Sequence, residues 1–588
     1  MKLKRMLSAV TCLAVASSFA LSAVACDKGD GPQPDATPTN TDVYEIPQDY
    51  ARTYYEVFVR SFADGNGDGI GDIRGLIENL DYLNDGDDST TEDLGINGIW
   101  MMPINSSPSY HKYDVTDYYD IDDEYGTLED FDELVEECDK RGIWLQMDLV
   151  LNHTSSQHPW FLKALEDAKN GYEPEDSEAM QRYVFVHEKD KPGTGTYRKV
   201  TGTADMYYLG NFSHDMPDLN LANESVREEI KKIVDFWLER GIKSFRLDAV
   251  PWACADAVIY TEENGEFWSW FNDYCDEKGA QVAAAQGWAN DGIGRYSYNV
   301  GEVWASGEVV NAYFDTGMSN FNYSYSGGSS YGSFAQVASS QSQRVVAANL
   351  VNNMANTQAD VLARDEHAIL SNFLTNHDND RLAAMFLTDA KLKSAASLYM
   401  LMPGSCYIYY GEELGAMGTG SDPNRRLPFN WGDERGDLEE PTGADYESAQ
   451  KYGSWKDQTE TYDSILTYYR NTIKLRNRFP EIAHGVMTAY AVDGAGALVL
   501  GDTIRDGLNG ASIANINALN RTIAAYTITW KDRTVAIVHN FGEQATLDVS
   551  AFADYALVGT LTAGGGAVTL SNGSLVLPSN SVAVLKAQ

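Results

Sequence analysis

Between Asp42 and Pro480, short β-branched or aromatic runs alternate with amphipathic stretches, a rhythm that predicts a parallel (β/α)8 barrel of the TIM type. A polar stretch rich in Gly and aromatic residues, 153–210, breaks that rhythm after the third strand and predicts an inserted subdomain over the barrel mouth. After Pro480 the texture turns to Ala, Thr, Val, Gly and Asn with alternating apolar residues. Runs such as Thr534-Val535-Ala536-Ile537-Val538 and Ser574-Leu575-Val576-Leu577 predict a C-terminal antiparallel β-sandwich over 483–588. The barrel then occupies 43–152 and 211–482.

Seven strand runs are legible. They are Tyr54 to Val59, Gly98 to Met101, Trp144 to Met147, Lys243 to Leu247, Asn299 to Gly301, Phe373-Leu374 and Cys406 to Tyr410. Helical periodicity marks Leu128 to Arg141, Ser225 to Arg240 and Tyr462 to Arg478. No internal repeat is evident.

The amino terminus predicts export. Lys2, Lys4 and Arg5 precede a short apolar stretch from Met6 to Ala23, so 1–25 reads as a signal peptide. Ala23-Val24-Ala25-Cys26 fits both a lipobox, with Cys26 lipidated, and an ordinary A-x-A cleavage site. A Pro- and Gly-rich tether over 26–42 follows Cys26, which favours a lipid anchor at the cell surface over free secretion. The remaining cysteines, Cys138, Cys254, Cys275 and Cys406, are scattered without metal spacing. Cys254 and Cys275 can pair outside the cell or stay as buried free thiols.

A net charge of −42 argues against nucleic acid and against direct binding to an anionic membrane; any membrane association would run through the lipid alone. A neutral polymer meets no such penalty, and 35 Tyr and 12 Trp supply flat amphipathic faces that suit sugars. A monomer is expected.

Three carboxylates carry the chemistry, each just after a strand run and each with a fixed escort. Asp248 sits in Phe245-Arg246-Leu247-Asp248-Ala249, where Arg246 can hold it ionised. Glu302 sits in Gly301-Glu302-Val303-Trp304, and Asp378 in Thr375-Asn376-His377-Asp378, where His377 can hydrogen-bond sugar hydroxyls. This set points to cleavage of a sugar–sugar bond. A separate loop, Asp64, Asn66, Asp68, Ile70 and Asp72, places oxygen donors at alternate positions, with Ile70 offering its carbonyl. It matches the first part of a calcium loop, and Gly75 at the twelfth position makes it a static site rather than a helix–loop–helix switch.

These motifs, in order, resemble glycoside hydrolase family 13, the α-amylase family. The resemblance also rests on Tyr55 to Asp72, Tyr113-Asp114-Val115-Thr116-Asp117-Tyr118, Asp148-Leu149-Val150-Leu151-Asn152-His153 and Met216-Pro217-Asp218-Leu219-Asn220. The last of these is similar to the branch that holds bacterial lipoprotein α-amylases. The resemblance implies Asp248 as nucleophile, Glu302 as general acid and base, and Asp378 as the third carboxylate, in a retaining reaction. It implies Tyr113, His153, His377 and Arg426 around the sugar at the cleavage point, Arg246 beside the nucleophile, and calcium in the Asp64–Asp72 loop. One departure stands out: Pro251-Trp252 occurs where many α-amylases carry Lys-His, so Trp252 is expected to stack on the leaving-group side.

The leading expectation is hydrolysis of internal α-1,4 bonds in starch-like glucans outside the cell. The alternatives are an exo-acting α-glucosidase or transglycosylase of the same family, and a non-catalytic starch-binding lipoprotein. Intact Asp248, Glu302 and Asp378 argue against the last.

Overall fold

A computed structural model describes residues 49–588 apart from 88, 91, 194, 254–259, 288–294, 323–325, 327–332, 340–345, 386–387, 447–450 and 501–516. The expected signal peptide, the tether with Cys26, and Cys254 lie outside the described residues. Cys275 is a free, buried thiol. Among the described residues, no helix is long and apolar enough to cross a membrane.

Eight parallel strands form the barrel: β1 (Thr53–Val57), β2 (Gly98–Met101), β3 (Trp144–Leu149), β4 (Ser244–Leu247), β5 (Val300–Gly301), β6 (Ser319–Asn320), β7 (Ser371–Phe373) and β8 (Ser405–Tyr409). Their spatial order is β6-β5-β4-β3-β2-β1-β8-β7. A parallel bridge between Phe321 and Ser371 joins the two ends and closes the ring.

Strand alternation decides what faces the axis. Tyr54, Trp100 and Tyr407 point inward and pack with Tyr298, Phe321 and Phe373 as an aromatic plug. Tyr54 stacks on Tyr407 at 4.8 Å. Glu56, two residues beyond Tyr54, shares this inward parity toward the C-terminal mouth, as do Asp148 and Arg246, two residues beyond Gln146 on β3 and Ser244 on β4. The opposite parity, Tyr55, Ile99, Leu145, Phe245 and Ile408, packs outward in the main apolar core.

The sixth strand is absent from the seven runs read in the sequence. Ser319–Asn320 is two residues long and polar, so it carries no apolar signal. It is held instead by hydroxyls: Ser319 Oγ lies 2.8 Å from Ser371 Oγ. At the first strand, the run expected to reach Val59 stops at Val57, because Val59–Ser61 winds into a 3-10 turn.

The three helices read from periodicity occur as Leu128–Lys140, Glu224–Glu239 and Ile465–Arg478. The first starts at a capping box between Thr127 and Asp130, which satisfies two of the helix's orphan amides.

Between β3 and β4 lies a three-stranded antiparallel sheet, with Met206–Leu209 paired to Phe185–His187 and Tyr197–Lys199. The C-terminal region is a six-stranded sheet facing a three-stranded one. Ile523, Ala536, Val538 and Leu585 of the first meet Leu547, Leu575 and Leu577 of the second in a separate core, as expected for a sandwich. Gln358 ties it to the barrel: its amide donates to Gly485 O at 2.8 Å and accepts from Met487 N at 2.8 Å.

Candidate active site

Asp248 follows the last residue of β4 and Glu302 the last residue of β5, so adjacent strands deliver both to the mouth. Two local features shape this corner of the mouth. Gly301 lets β5 lie close against β6: a Cβ there would lie 2.6 Å from Asn320 Oδ1 and 2.8 Å from Met318 Sδ. Ala249 adopts φ 50°, a left-handed conformation that costs a non-glycine residue about 1–3 kcal/mol. That turn aims its amide at Glu302 Oε2, 3.2 Å away.

Arg246 sits beneath both acids, fully enclosed. Its Nη1 donates to Asp248 Oδ1 at 2.8 Å and to Asp148 Oδ1 at 2.9 Å. Its Nη2 lies 2.8 Å from Glu302 Oε2 but makes no aligned hydrogen bond. Burial pushes the Asp248 carboxyl up from its usual range, and Arg246 pulls it back. Burial likewise raises Glu302, to about 7, with Arg246 opposing and Asp248 and Asp378 adding to the rise. The two acids titrate as a pair on one cation. The aligned hydrogen bond from Arg246 falls on Asp248, a geometry that favours charge on Asp248 and the proton on Glu302. An ionised carboxylate beside a protonated one is the pairing that nucleophile and general acid require.

Asp378 closes the other side. His377 Nδ1 meets Glu56 Oε1 at 2.6 Å, while its Nε2 meets Asp378 Oδ2 at 3.0 Å and the Tyr113 hydroxyl at 2.8 Å. Burial opposes charge on His377, but Asp378 and Glu56 outweigh it and raise the imidazole to about 9. Asp378 also accepts from Arg426 Nη2 at 2.8 Å. Burial opposes ionisation of Asp378, yet His377 and Arg426 hold its carboxyl well below the usual range.

Tyr113 bridges the two halves, donating to Asp148 Oδ2 at 3.0 Å. His153 is buried and held neutral, burial lowering it to about 4, and its Nε2 has no hydrogen-bond partner. Trp252 stands half-exposed in the short turn after Ala249 and packs edge-on against Phe212 at 5.6 Å. Phe212 in turn lies 5.4 Å from His153.

The structure thus gathers Asp248, Glu302, Asp378, Arg246, Tyr113, His377 and Arg426 into one set joined by hydrogen bonds and ion pairs, with His153 and Trp252 reached through Phe212. Reading the sequence missed Asp148, Glu56 and Phe212. Asp148 opens a quoted motif and Glu56 is a lone charge on an apolar strand, so both left a signal. Phe212 left none.

The Asp64–Asp72 loop forms elsewhere, ahead of the helix Ile73–Glu78 that Asp72 caps. Asp64, Asn66 and Asp68 oxygens accept loop amides, including Gly67 N at 2.6 Å and Ile70 N at 2.8 Å. Asp72 Oδ2 is buried without a partner. Burial raises the Asp72 carboxyl, and nearby Asp64 and Asp68 raise it further. Among the described residues, no three His, Cys, Asp or Glu side chains converge as a metal cluster. The expected donor set also includes an amide and a carbonyl, and a crowded, oxygen-only loop with one orphaned oxygen fits a hard cation.

A closed parallel barrel with two carboxylates sharing one guanidinium at its C-terminal mouth fits the frame of a glycoside hydrolase. The model of the alpha-amylase catalytic domain matches residues 56–485, and the chain belongs to the alpha-amylase family. It is 32% identical over 509 residues to Alpha-amylase 3 of Dictyoglomus thermophilum, covering 83% of this chain and 84% of that one. It is 31% identical over 389 residues to a 4-alpha-glucanotransferase of Thermotoga neapolitana, covering 64% and 75%. Among solved structures, Eubacterium rectale Amy13B superposes with a TM-score of 0.79 at 34% identity, covering 93% of this chain and 97% of that one.

The proton on Glu302 sets a pH limit. A group raised to about 7 is protonated below that pH and loses its proton above it, so kcat/KM on an unactivated glucan should fall about tenfold per pH unit beyond the limb. A pH profile of starch hydrolysis checks this; a flat rate to pH 9 would contradict the assignment of the proton.

Proposed function

We propose that this glycosidase cleaves internal α-1,4 bonds of starch-like glucans by retention through a glycosyl-enzyme intermediate. The observation that carries the reading is the guanidinium of Arg246 shared by Asp248 and Glu302, which supports an ionised Asp248 beside a protonated Glu302. Asp248 attacks the anomeric carbon while Glu302 gives its proton to the departing oxygen. Glu302, now ionised, then takes a proton from water, which attacks the same carbon and releases Asp248. Asp378, fixed by His377 and Arg426, accepts sugar hydroxyls, and the unpartnered Nε2 of His153 donates to another. Tyr113 offers its ring to the sugar at the cleavage point.

Internal cleavage needs room on both sides. Tyr110, 3.4 Å from Arg426, also lines an open cavity of about 570 Å³ with Arg60, Lys112 and Glu124. Phe212 and Trp252 extend the opposite rim. This room supports a chain-binding cleft, as does the alpha-amylase name of a relative matched over most of its length. Long amylose should yield mixed oligosaccharides early, with maltose cleaved slowly. Glucose released one unit at a time would favour an exo-acting α-glucosidase. Lengthened chains would favour transglycosylation, the activity the Thermotoga relative's name describes.

Calcium is the proposed occupant of the Asp64, Asn66, Asp68, Ile70 and Asp72 loop. When bound it neutralises the three crowded carboxylates and fixes the turn into the helix Ile73–Glu78. Binding in the native state alone stabilises it by about 3–4 kcal/mol at some hundreds to a thousand times the dissociation constant. Chelator should therefore lower the Tm of the wild type but not of Asp68→Ala. Equal melting of the wild type in chelator and in calcium would reduce the loop to a turn.

Export and anchoring through a lipid on Cys26 complete the proposal, with the enzyme acting as a monomer at the cell surface. Cys26→Ser should move activity from the membrane fraction to the medium; unchanged fractionation would refute the anchor.

A further inference from the structure

Trp304 stands two residues after Glu302 and is 43% exposed. Its indole N–H donates to Glu302 Oε1 at 2.7 Å. An exposed Trp would ordinarily leave its N–H to water; here the N–H is committed to the acid. The other oxygen, Oε2, faces the Ala249 amide at 3.2 Å and Arg246 Nη2 at 2.8 Å. The two oxygens are therefore unlike. A proton on Oε2 would point at a cation and a backbone donor, so the acid proton belongs on Oε1. With the indole N–H occupying one side of Oε1, the O–H is directed away from the indole and into the cleft.

We propose that Trp304 is the positioning residue of the general acid: Arg246 and the Ala249 amide leave the proton to Oε1, the indole N–H fixes the direction in which that oxygen presents it, and the exposed ring borders the space the leaving group enters. This rests on the reading of Glu302 as the acid. The proton must reach an oxygen within about 3 Å of Glu302, so a ring held 2.7 Å from the same carboxyl borders the leaving sugar.

The charged and titratable groups that face Glu302 are Arg246 and Asp248 from β4 and its loop, and His377 and Asp378 from the segment after β7. None of these is altered by a change at Trp304, so a pH effect of that change isolates the indole. The sign follows from the hydrogen bond. An N–H donor stabilises the carboxylate more than the neutral acid, so removing it raises the affinity of Glu302 for its proton.

Trp304→Phe keeps a ring and loses the donor; Trp304→Ala loses both. The test measures kcat/KM against pH on soluble starch and on α-maltosyl fluoride, whose fluoride departs without a proton. In Trp304→Phe the alkaline limb on starch should move up by about 0.5–1 pH unit. At pH 6 its starch kcat/KM should fall about tenfold, and that for the fluoride less than about threefold. The limb should shift likewise in Trp304→Ala. An unmoved limb in both variants, or equal losses on the two substrates, overturns the proposal. Glu302→Gln, run alongside, separates the two levels. If it abolishes starch hydrolysis while Trp304→Phe leaves the limb unmoved, Glu302 is still the acid and Trp304 does not position it. If Glu302→Gln hydrolyses starch normally, the reading of Glu302 itself fails.

Discussion

One buried guanidinium, that of Arg246, faces Asp148, Asp248 and Glu302 at 2.8–2.9 Å. Three carboxylates cannot all ionise on a single, fully buried cation without strong repulsion. The arrangement therefore retains a proton, and local geometry decides where. Asp148 and Asp248 receive aligned hydrogen bonds from Nη1, whereas Glu302 meets Nη2 out of line. The acid and the nucleophile of the proposed reaction emerge from that asymmetry. Removing one partner of such a buried pair typically costs about 3–5 kcal/mol, so Arg246 also holds the barrel mouth together.

Around this centre the fold works by parity. The inward position nearest the mouth on each of β1, β3 and β4 supplies one member of a polar layer, Glu56, Asp148 and Arg246, above the aromatic plug. Glu56 then charges His377, and His377 with Arg426 keeps Asp378 ionised. The left-handed turn at Ala249 brings its amide onto Glu302, and the missing Cβ at Gly301 lets β5 pack against β6. Strain and small size are thus placed where the chemistry needs close approach.

Much of this was legible in the chain because strand runs and motif residues coincide. Arg246, Asp248, Glu302, His377 and Asp378 are marked by neighbours that repeat the pattern of the family. Illegible parts had physical reasons. The strand Ser319–Asn320 is held by hydroxyl contacts rather than apolar burial, so no hydrophobic period announces it. Glu56 becomes functional only through a partner 321 positions away. Phe212 meets Trp252 although the two lie far apart in the chain, a contact that no local propensity encodes. The departure at Pro251-Trp252 was visible, and its consequence, an aromatic rim shared with Phe212, was not.

The central claim is that Asp248, not Glu302, carries the free carboxylate that attacks the sugar. Incubation with a 5-fluoro-α-glycosyl fluoride, whose intermediate turns over slowly, followed by peptic digestion and mass spectrometry, reads this directly. The account predicts one added glycosyl group on the peptide that contains Asp248, lost again when a glucan acceptor is supplied. A label on Glu302, or complete turnover without any adduct and with inverted product, would contradict it.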